Sequence, residues 1–278
     1  MLEKSKMSLL PVLMTVTPDM AKSWLENNTS NRKVSKPAVE QYAEAMRNGD
    51  WLVNGEAIKI AQDGSLLDGQ HRLLAIIKAN RAVETMVIDG VDKSVMPTID
   101  VGKKRTNGDI ISMYEVKYPV QVAGAIAVAY HLTEGKTGRT GNNSLGRVTA
   151  VEANRFLSLY PSIADSVLFC IHNRGNFRYR AQYGALHFLF SRKNQIAADR
   201  FFLRLFNGMG LVESDPVYRL REKILAEEVS RKKASRGDFL TWIIKAWNAE
   251  RAGISLDKLH GMGRDDKGRF NVIPRIEG

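Results

Sequence analysis

The sequence predicts an α+β chain. A mixed α/β segment, residues 1–116, is followed by an all-helical basic segment, residues 117–255, and an irregular tail, residues 256–278. Strand-like alternation and tight-turn pairs run up to about Tyr118 and then stop, while apolar residues at helical spacing continue to about Arg251. The charge divides at nearly the same place. Residues 1–116 hold 15 Lys+Arg and 15 Asp+Glu, whereas residues 117–278 hold 26 and 15, the whole of the +11 net charge. A concentrated positive field is what a polyanion binder needs, although it also serves solubility.

The elements follow in order. "TPDMAKSWLENN" places Thr17 as a helix N-cap and Pro18 at the first helical position, and "SNRKVSK" is a polar loop. Pro37 opens "PAVEQYAEAMRNG", with Val39, Tyr42, Ala43 and Met46 at helical spacing and Asn48-Gly49 as the stop. "EAIKIAQ" alternates like a strand, Asp63-Gly64 is a tight turn and "SLL" is the partner strand. Leu73, Leu74, Ile76 and Ile77 make a helix of about Gly69 to Asn80. "ETMVIDGV" and "VMPTID" read as strands, and Thr106 caps a helix in "TNGDIISMY". Beyond it, "VQVAGAIAVAYHLTEG" is an apolar, buried helix, and residues 135–147 form a Gly/Asn/Ser/basic loop. Thr149 and Glu152 have capping-box spacing, and further helices are predicted near 162–172, 180–192, 195–207, 216–234 and 238–251.

Several classes are excluded. No stretch approaches the ~18 to 20 uninterrupted apolar residues of a membrane span. "MLEKSKMSLLPVLM" is interrupted by Pro11 and lacks a small-residue cleavage site, so it does not read as a signal peptide. A single cysteine, Cys170, rules out an internal disulfide and suits a reducing cytosol. The five histidines (71, 131, 172, 187, 260) are scattered without ligand spacing, so no zinc site is expected, whereas Mg²⁺ on carboxylates stays open.

The stretch "LLDGQHRLLA", residues 66–75, sets Asp68, Gly69, Gln70, His71 and Arg72 between two apolar runs. A strand followed by a glycine and a helix start suits an anion. The helix N-terminus supplies N–H groups and a positive dipole end, and glycine allows close approach. Arg72 can clamp phosphate oxygens, His71 can donate or shuttle a proton, and Asp68 can cap the helix, hold a metal-bound water or act as a base. The plainer alternative is a capping Asp68 and a solvated Arg72, which leaves Gln70 and His71 without a role.

"NGEAIKIAQDGSLLDGQHRLLAIIKANRAVETMVIDGV" resembles the ParB/sulfiredoxin superfamily domain. With "NR" at 31–32, "GDWLVNGEAI" at 49–58 and "IDVGKKRT" at 99–106, it is similar to a group of DGQHR-containing ParB-like proteins often found in phages and mobile elements. The resemblance covers about residues 15–115. It implies that Gly69, Gln70, His71 and Arg72 bind nucleotide phosphates, with Arg32 as a second clamp and Asn54 orienting the same ligand. It also implies that Glu56 faces the nucleotide and activates water or a hydroxyl, alongside Asp68 and His71 as acid–base groups; an exposed edge-strand Glu56 is the alternative. CTP or ATP with Mg²⁺ is the cofactor the resemblance suggests. Sulfiredoxin chemistry does not carry over, because Gln70 stands where its nucleophilic cysteine would be. Partition clamps have Arg-Arg where this chain has His71-Arg72, and no partition-type helix-turn-helix follows.

Lys103, Lys104 and Arg105 before Thr106 make a second anion site, a DNA-backbone contact or a solvated turn. "GKT" at 135–137 is no P-loop, since Tyr130 stands where the first glycine belongs. "HNRGNFRYRAQY" interleaves Arg174, Arg178 and Arg180 with Phe177, Tyr179 and Tyr183, as a nucleic-acid groove would, or as solvated arginines beside a core would. Arg231, Lys232 and Lys233 form a further basic cluster suited to phosphates. The expectation is a cytoplasmic protein of a bacterial or phage-infected cell, with DNA and nucleotide as partners, no membrane, and homo-oligomerisation compatible. It performs NTP hydrolysis or phosphodiester cleavage at the DGQHR box. A non-enzymatic DNA-binding regulator and a small-molecule phosphotransferase are the alternatives.

Overall fold

The computed structural model describes residues 9–28, 31, 33–99, 106–133, 148–231, 233–263 and 272–278. The chain is mixed α+β and divides into two compact units, Met1–Lys103 and Lys104–Gly278. Arg32, Lys103, Lys104, Arg105, Lys232 and the 135–147 loop lie outside the described residues.

The first unit holds a four-stranded sheet made of β1 (Val12–Val16), β2 (Ala57–Ala61), β3 (Leu66–Asp68) and β4 (Val83–Val91), in the order β1-β4-β2-β3. β4 runs antiparallel to β1, with Val12 opposite Val87, and parallel to β2, with Ala57 opposite Met86. β2 and β3 form the hairpin predicted around Asp63-Gly64, with Lys59 opposite Asp68 and an irregular register beside it. Three helices, α1 (Pro18–Glu26), α2 (Lys36–Asn48) and α3 (Gln70–Ala79), pack with the sheet around one core. Val16, Ile58, Leu66 and Val87 meet Ala21, Val39, Ala43, Leu73 and Ile76 there. Alternation sends Ala61 and Leu67 into a smaller cluster with Met96 and Ile99, and an irregular register in β4 turns Val91 to the same side.

Two local expectations are corrected. "VMPTID" is not a strand, because Lys93–Thr98 forms a 3₁₀ turn whose start is capped by the Asp92 carboxylate accepting from the Ser94 N–H at 2.8 Å. Pro97 lies inside it and lacks the N–H a ladder would need. β1 was not foreseen as a strand, since its five residues lie just past Pro11.

The second unit is helical: α4 (Asn107–Ile111), α5 (Pro119–Thr133), α6 (Ala150–Leu159), α7 (Ser162–Asn173), α8 (Arg180–Ser191), α9 (Gln195–Asn207), α10 (Pro216–Val229) and α11 (Arg236–Ala252). α4 packs on α5 and α6, which places "TNGDIISMY" with the helices. The Thr149–Glu152 capping box is formed at α6, and α10 stops at Val229, short of the predicted 234. α8 is the central helix, buried without a break from Tyr183 to Phe190. Gly184 brings α7 against it, since a Cβ there would sit 2.5 Å from Val167 Cγ2. The core is aromatic: Trp247 stacks on Phe190 at 4.3 Å, and Tyr183 lies edge-on to Phe202, Phe206 and Phe239. Leu259 and Ile273, from the otherwise irregular tail, are buried in the same core.

Candidate functional site

The hairpin register sets the site. Lys59 on β2 faces Asp68 on β3, and Lys59 Nζ lies 2.9 Å from Asp68 Oδ2. The other oxygen of Asp68 accepts the Gly69 N–H at 2.7 Å. Gly69 then turns the chain into α3 with φ +106°, and the first turn of that helix carries Gln70, His71 and Arg72. Arg72 Nη2 lies 3.5 Å from Glu56 Oε2 and 3.7 Å from Asp68 Oδ2. Both separations are long for a guanidinium–carboxylate hydrogen bond. The Arg72 side chain is only 13% exposed, and its buried Nη1 has no hydrogen-bond partner among the described residues.

The three acid–base candidates separate by environment. Burial pushes the Asp68 carboxyl up, but the Lys59 hydrogen bond and charge, the Arg72 charge and the Gly69 N–H outweigh it and hold it below its ordinary value. Asp68 is thus placed as a counter-ion to two cations and is a poor base. Glu56 is exposed, and among the described residues its carboxylate pairs with Arg72. His71 Nε2 accepts the Ser35 N–H at 2.9 Å, which fixes the loop before α2 and occupies that nitrogen.

Some of the expected ligand contacts are structural. Gln70 is buried and accepts from Asn28 Nδ2 at 3.3 Å, joining the end of α1 to α3. Asn54 accepts from the Glu56 N–H at 3.1 Å and shapes the turn that sets Glu56. Thr106 accepts from the Asp109 N–H and donates to the Asp109 carboxylate, so an internal carboxylate already serves the start of α4. Lys59, Ser35 and Asn28 were not singled out. Counting back through the Asp63-Gly64 turn pairs Lys59 with Asp68 and would have found that residue; the loop contacts have no local signal.

Among the described residues, several basic candidates of the second unit are already engaged within it. Arg174 is buried and donates to the Phe177 carbonyl, while Phe177 and Tyr183 are core and Tyr179 packs on Phe239, so no aromatic there is a stacking platform. Arg178 is paired with Glu228 at 2.9 Å, and Lys233 donates to the carbonyls of Glu227 and Glu228 at the end of α10. Arg180 and Arg231 are exposed.

Two further constellations occur in this unit. A cleft of about 620 Å³ is lined by Arg200, Arg204, Ser214, Asp215 and Glu250, but Arg204 is held by Glu250 at 2.7 Å and by the Asp215 carboxylate. His187 Nε2 lies 2.8 Å from Asp199 Oδ1, and its Nδ1 lies 3.5 Å from Ser191 Oγ. These are the side chains of a hydrolytic triad. Ser191, however, ends α8, where carbonyls and the negative dipole end oppose an oxyanion. Burial lowers the His187 pKa, and the Asp199 hydrogen bond and charge only partly restore it. A histidine with a lowered folded pKa contributes stability that is complete above the ordinary value of 6.5 and is lost as pH falls through it. The melting midpoint of the wild type is therefore expected to fall between pH 7.5 and pH 5.5, and His187→Gln to flatten that component. Parallel pH profiles of the two proteins would remove His187 from the account.

Cys170, the lone thiol, is fully buried, and burial raises its pKa well above the usual value, so it is no nucleophile. Among the described residues no helix is long and apolar enough to cross a membrane. Compared with known proteins, the chain matches no family model, no curated protein and no solved structure.

Proposed function

We propose that the first unit is a ParB-like phosphate-binding module whose DGQHR segment cradles the phosphates of a nucleotide or of DNA, and that the basic helical unit contributes affinity for nucleic acid. The observation that carries this reading is Arg72. A guanidinium largely removed from water keeps one nitrogen unpartnered among the described residues and the other in long contacts with Glu56 and Asp68. A buried donor left unpaired costs about 1–3 kcal/mol. An incoming phosphate oxygen relieves that cost and adds charge-assisted hydrogen bonds. The start of α3 lends its positive end to the same place, and in this reading the exposed Glu56 accepts a proton from water or a hydroxyl. CTP or ATP with Mg²⁺ is the first ligand to try. The +11 charge, which belongs to the helical half, favours DNA as a second partner over a small-molecule phosphotransferase role.

The test is calorimetric titration with ATP, CTP and GTP plus Mg²⁺, with and without duplex DNA, on wild type and Arg72→Ala. The expected result is saturable binding that Arg72→Ala weakens at least tenfold, with an unchanged circular-dichroism spectrum, because the Lys59–Asp68 pair survives the substitution. Equal affinities in the two proteins overturn the assignment. Glu56→Gln then separates an enzyme, which loses turnover and keeps binding, from a passive binder, which loses neither.

A further inference from the structure

The two edges of the sheet are treated differently. At β3 the Leu66 N–H donates to the Asn27 carbonyl at 3.2 Å, and the Leu66 carbonyl accepts from Asn31 Nδ2 at 2.7 Å, so this edge is closed by the chain's own loop. At the other edge, β1 pairs among the described residues only with β4. The usual guards of an open edge are charges, bulges and prolines. Here "MSLLPVLMTVTP", residues 7–18, contains no charged residue, and its β1–β4 register is regular. Pro11 precedes the strand and protects only its start. Apolar side chains stand out along this edge: Leu10 is 68% exposed, Val12 53% and Leu13 52%.

We infer that the open edge of β1 is a homotypic interface, at which two copies of the chain pair β1 antiparallel about a two-fold axis. A second copy is the occupant best suited to it for two reasons. Main-chain donors and acceptors on an edge are satisfied in register only by another strand, and an antiparallel strand edge is complementary to itself. The first unit is also electrically neutral, with 13 Lys+Arg and 13 Asp+Glu in residues 1–103, so its own charges do not set two copies against each other. Antiparallel pairing keeps Val12, Met14 and Val16 of both copies on one face and Leu13 and Thr15 on the other. The four-stranded sheet becomes eight-stranded, and the exposed leucines and Val12 are covered by their counterparts. This inference is independent of the phosphate-site reading.

The experiment is sedimentation velocity of the full chain over a range of concentrations, for wild type, Leu13→Lys, Leu10→Lys and Arg72→Ala. Wild type and Arg72→Ala are expected to sediment at twice the 31.1 kDa chain mass, and both lysine variants at the single mass with unchanged circular-dichroism spectra. Hydrogen–deuterium exchange provides a readout that needs no substitution: amides of β1 should exchange more slowly as wild-type concentration rises, while those of α11 do not change. A wild type that stays monomeric up to its solubility limit overturns the inference. So does a dimer that both lysine variants leave intact, which would place the interface elsewhere.

Discussion

Replacing Trp247 by alanine is expected to cost the helical unit about 3–5 kcal/mol, the range for a fully buried tryptophan whose cavity cannot collapse. Trp247 is stacked on Phe190 and edge-on to Phe201 at 5.6 Å, and both rings are themselves buried. The neighbours are helix-borne aromatics held from several sides, so little relaxation is open to them. The indole also donates from Nε1 to the Glu277 carbonyl at 2.8 Å, while Asn248 donates to the Arg275 carbonyl at 2.8 Å and accepts from the Glu277 N–H at 3.1 Å. One residue thus supports both the core and the fastening of the last residues. Urea unfolding measures the first role and limited proteolysis of the tail the second. Trp247→Phe should keep most of the core and still loosen the tail. A Trp247→Ala protein with the wild-type urea midpoint would show that the aromatic cluster is not what stabilises this unit.

Gly69→Ala is expected to destabilise the first unit by about 2–4 kcal/mol, from an unfavourable backbone conformation together with overpacking. At φ +106° an L side chain is strained, and the new Cβ would lie 2.9 Å from Ile58 Cγ1 and 3.3 Å from Ile58 Cα. Ile58 is fully buried on β2, so it cannot step aside without moving the strand. The sequence suggested a glycine that lets phosphate approach. The structure supplies a second reason for glycine here, the close approach of α3 to β2. The two reasons part in experiment: loss of ligand binding at unchanged denaturant midpoint speaks for the ligand, and loss of both speaks for the packing.

The helix boundaries were legible because their signals are local. Thr17 with Pro18, Thr149 with Glu152, and Thr106 each cap a helix through a hydroxyl a few residues away. The hairpin at Asp63-Gly64 and the α3 pattern were legible for the same reason. β1 was not, because five residues behind a proline show too little period, and what makes them a strand is β4, far along the chain. "VMPTID" failed because its apolar residues fit a strand while Pro97 does not. In the site, Asp68 and Arg72 are near each other as neighbours in one short stretch, whereas Glu56 was set beside them in the reading only by the resemblance. The roles of Gln70 and Asn54 were decided by a buried joint and a turn, which no spacing encodes. The arginine–aromatic run at 172–183 was ambiguous for a similar reason. Which of its side chains face inward depends on α9, α10 and α11, as the burial of Arg174, Phe177 and Tyr183 shows.

The pairing of Val12 with Val87 also bears on the order of events at the ribosome. β1 has its neighbour in the sheet 75 residues downstream, whereas β2, β3 and α3 are contiguous. A chain synthesised from its N-terminus can close the hairpin and wind α3 before β4 exists, and closing the long loop to β1 comes afterwards. Throughout that interval an uncharged, apolar segment waits without its neighbour, which is the kind of nascent segment that chaperones attend. β1 is made before β2, β3 and β4 and takes its place in the sheet after them.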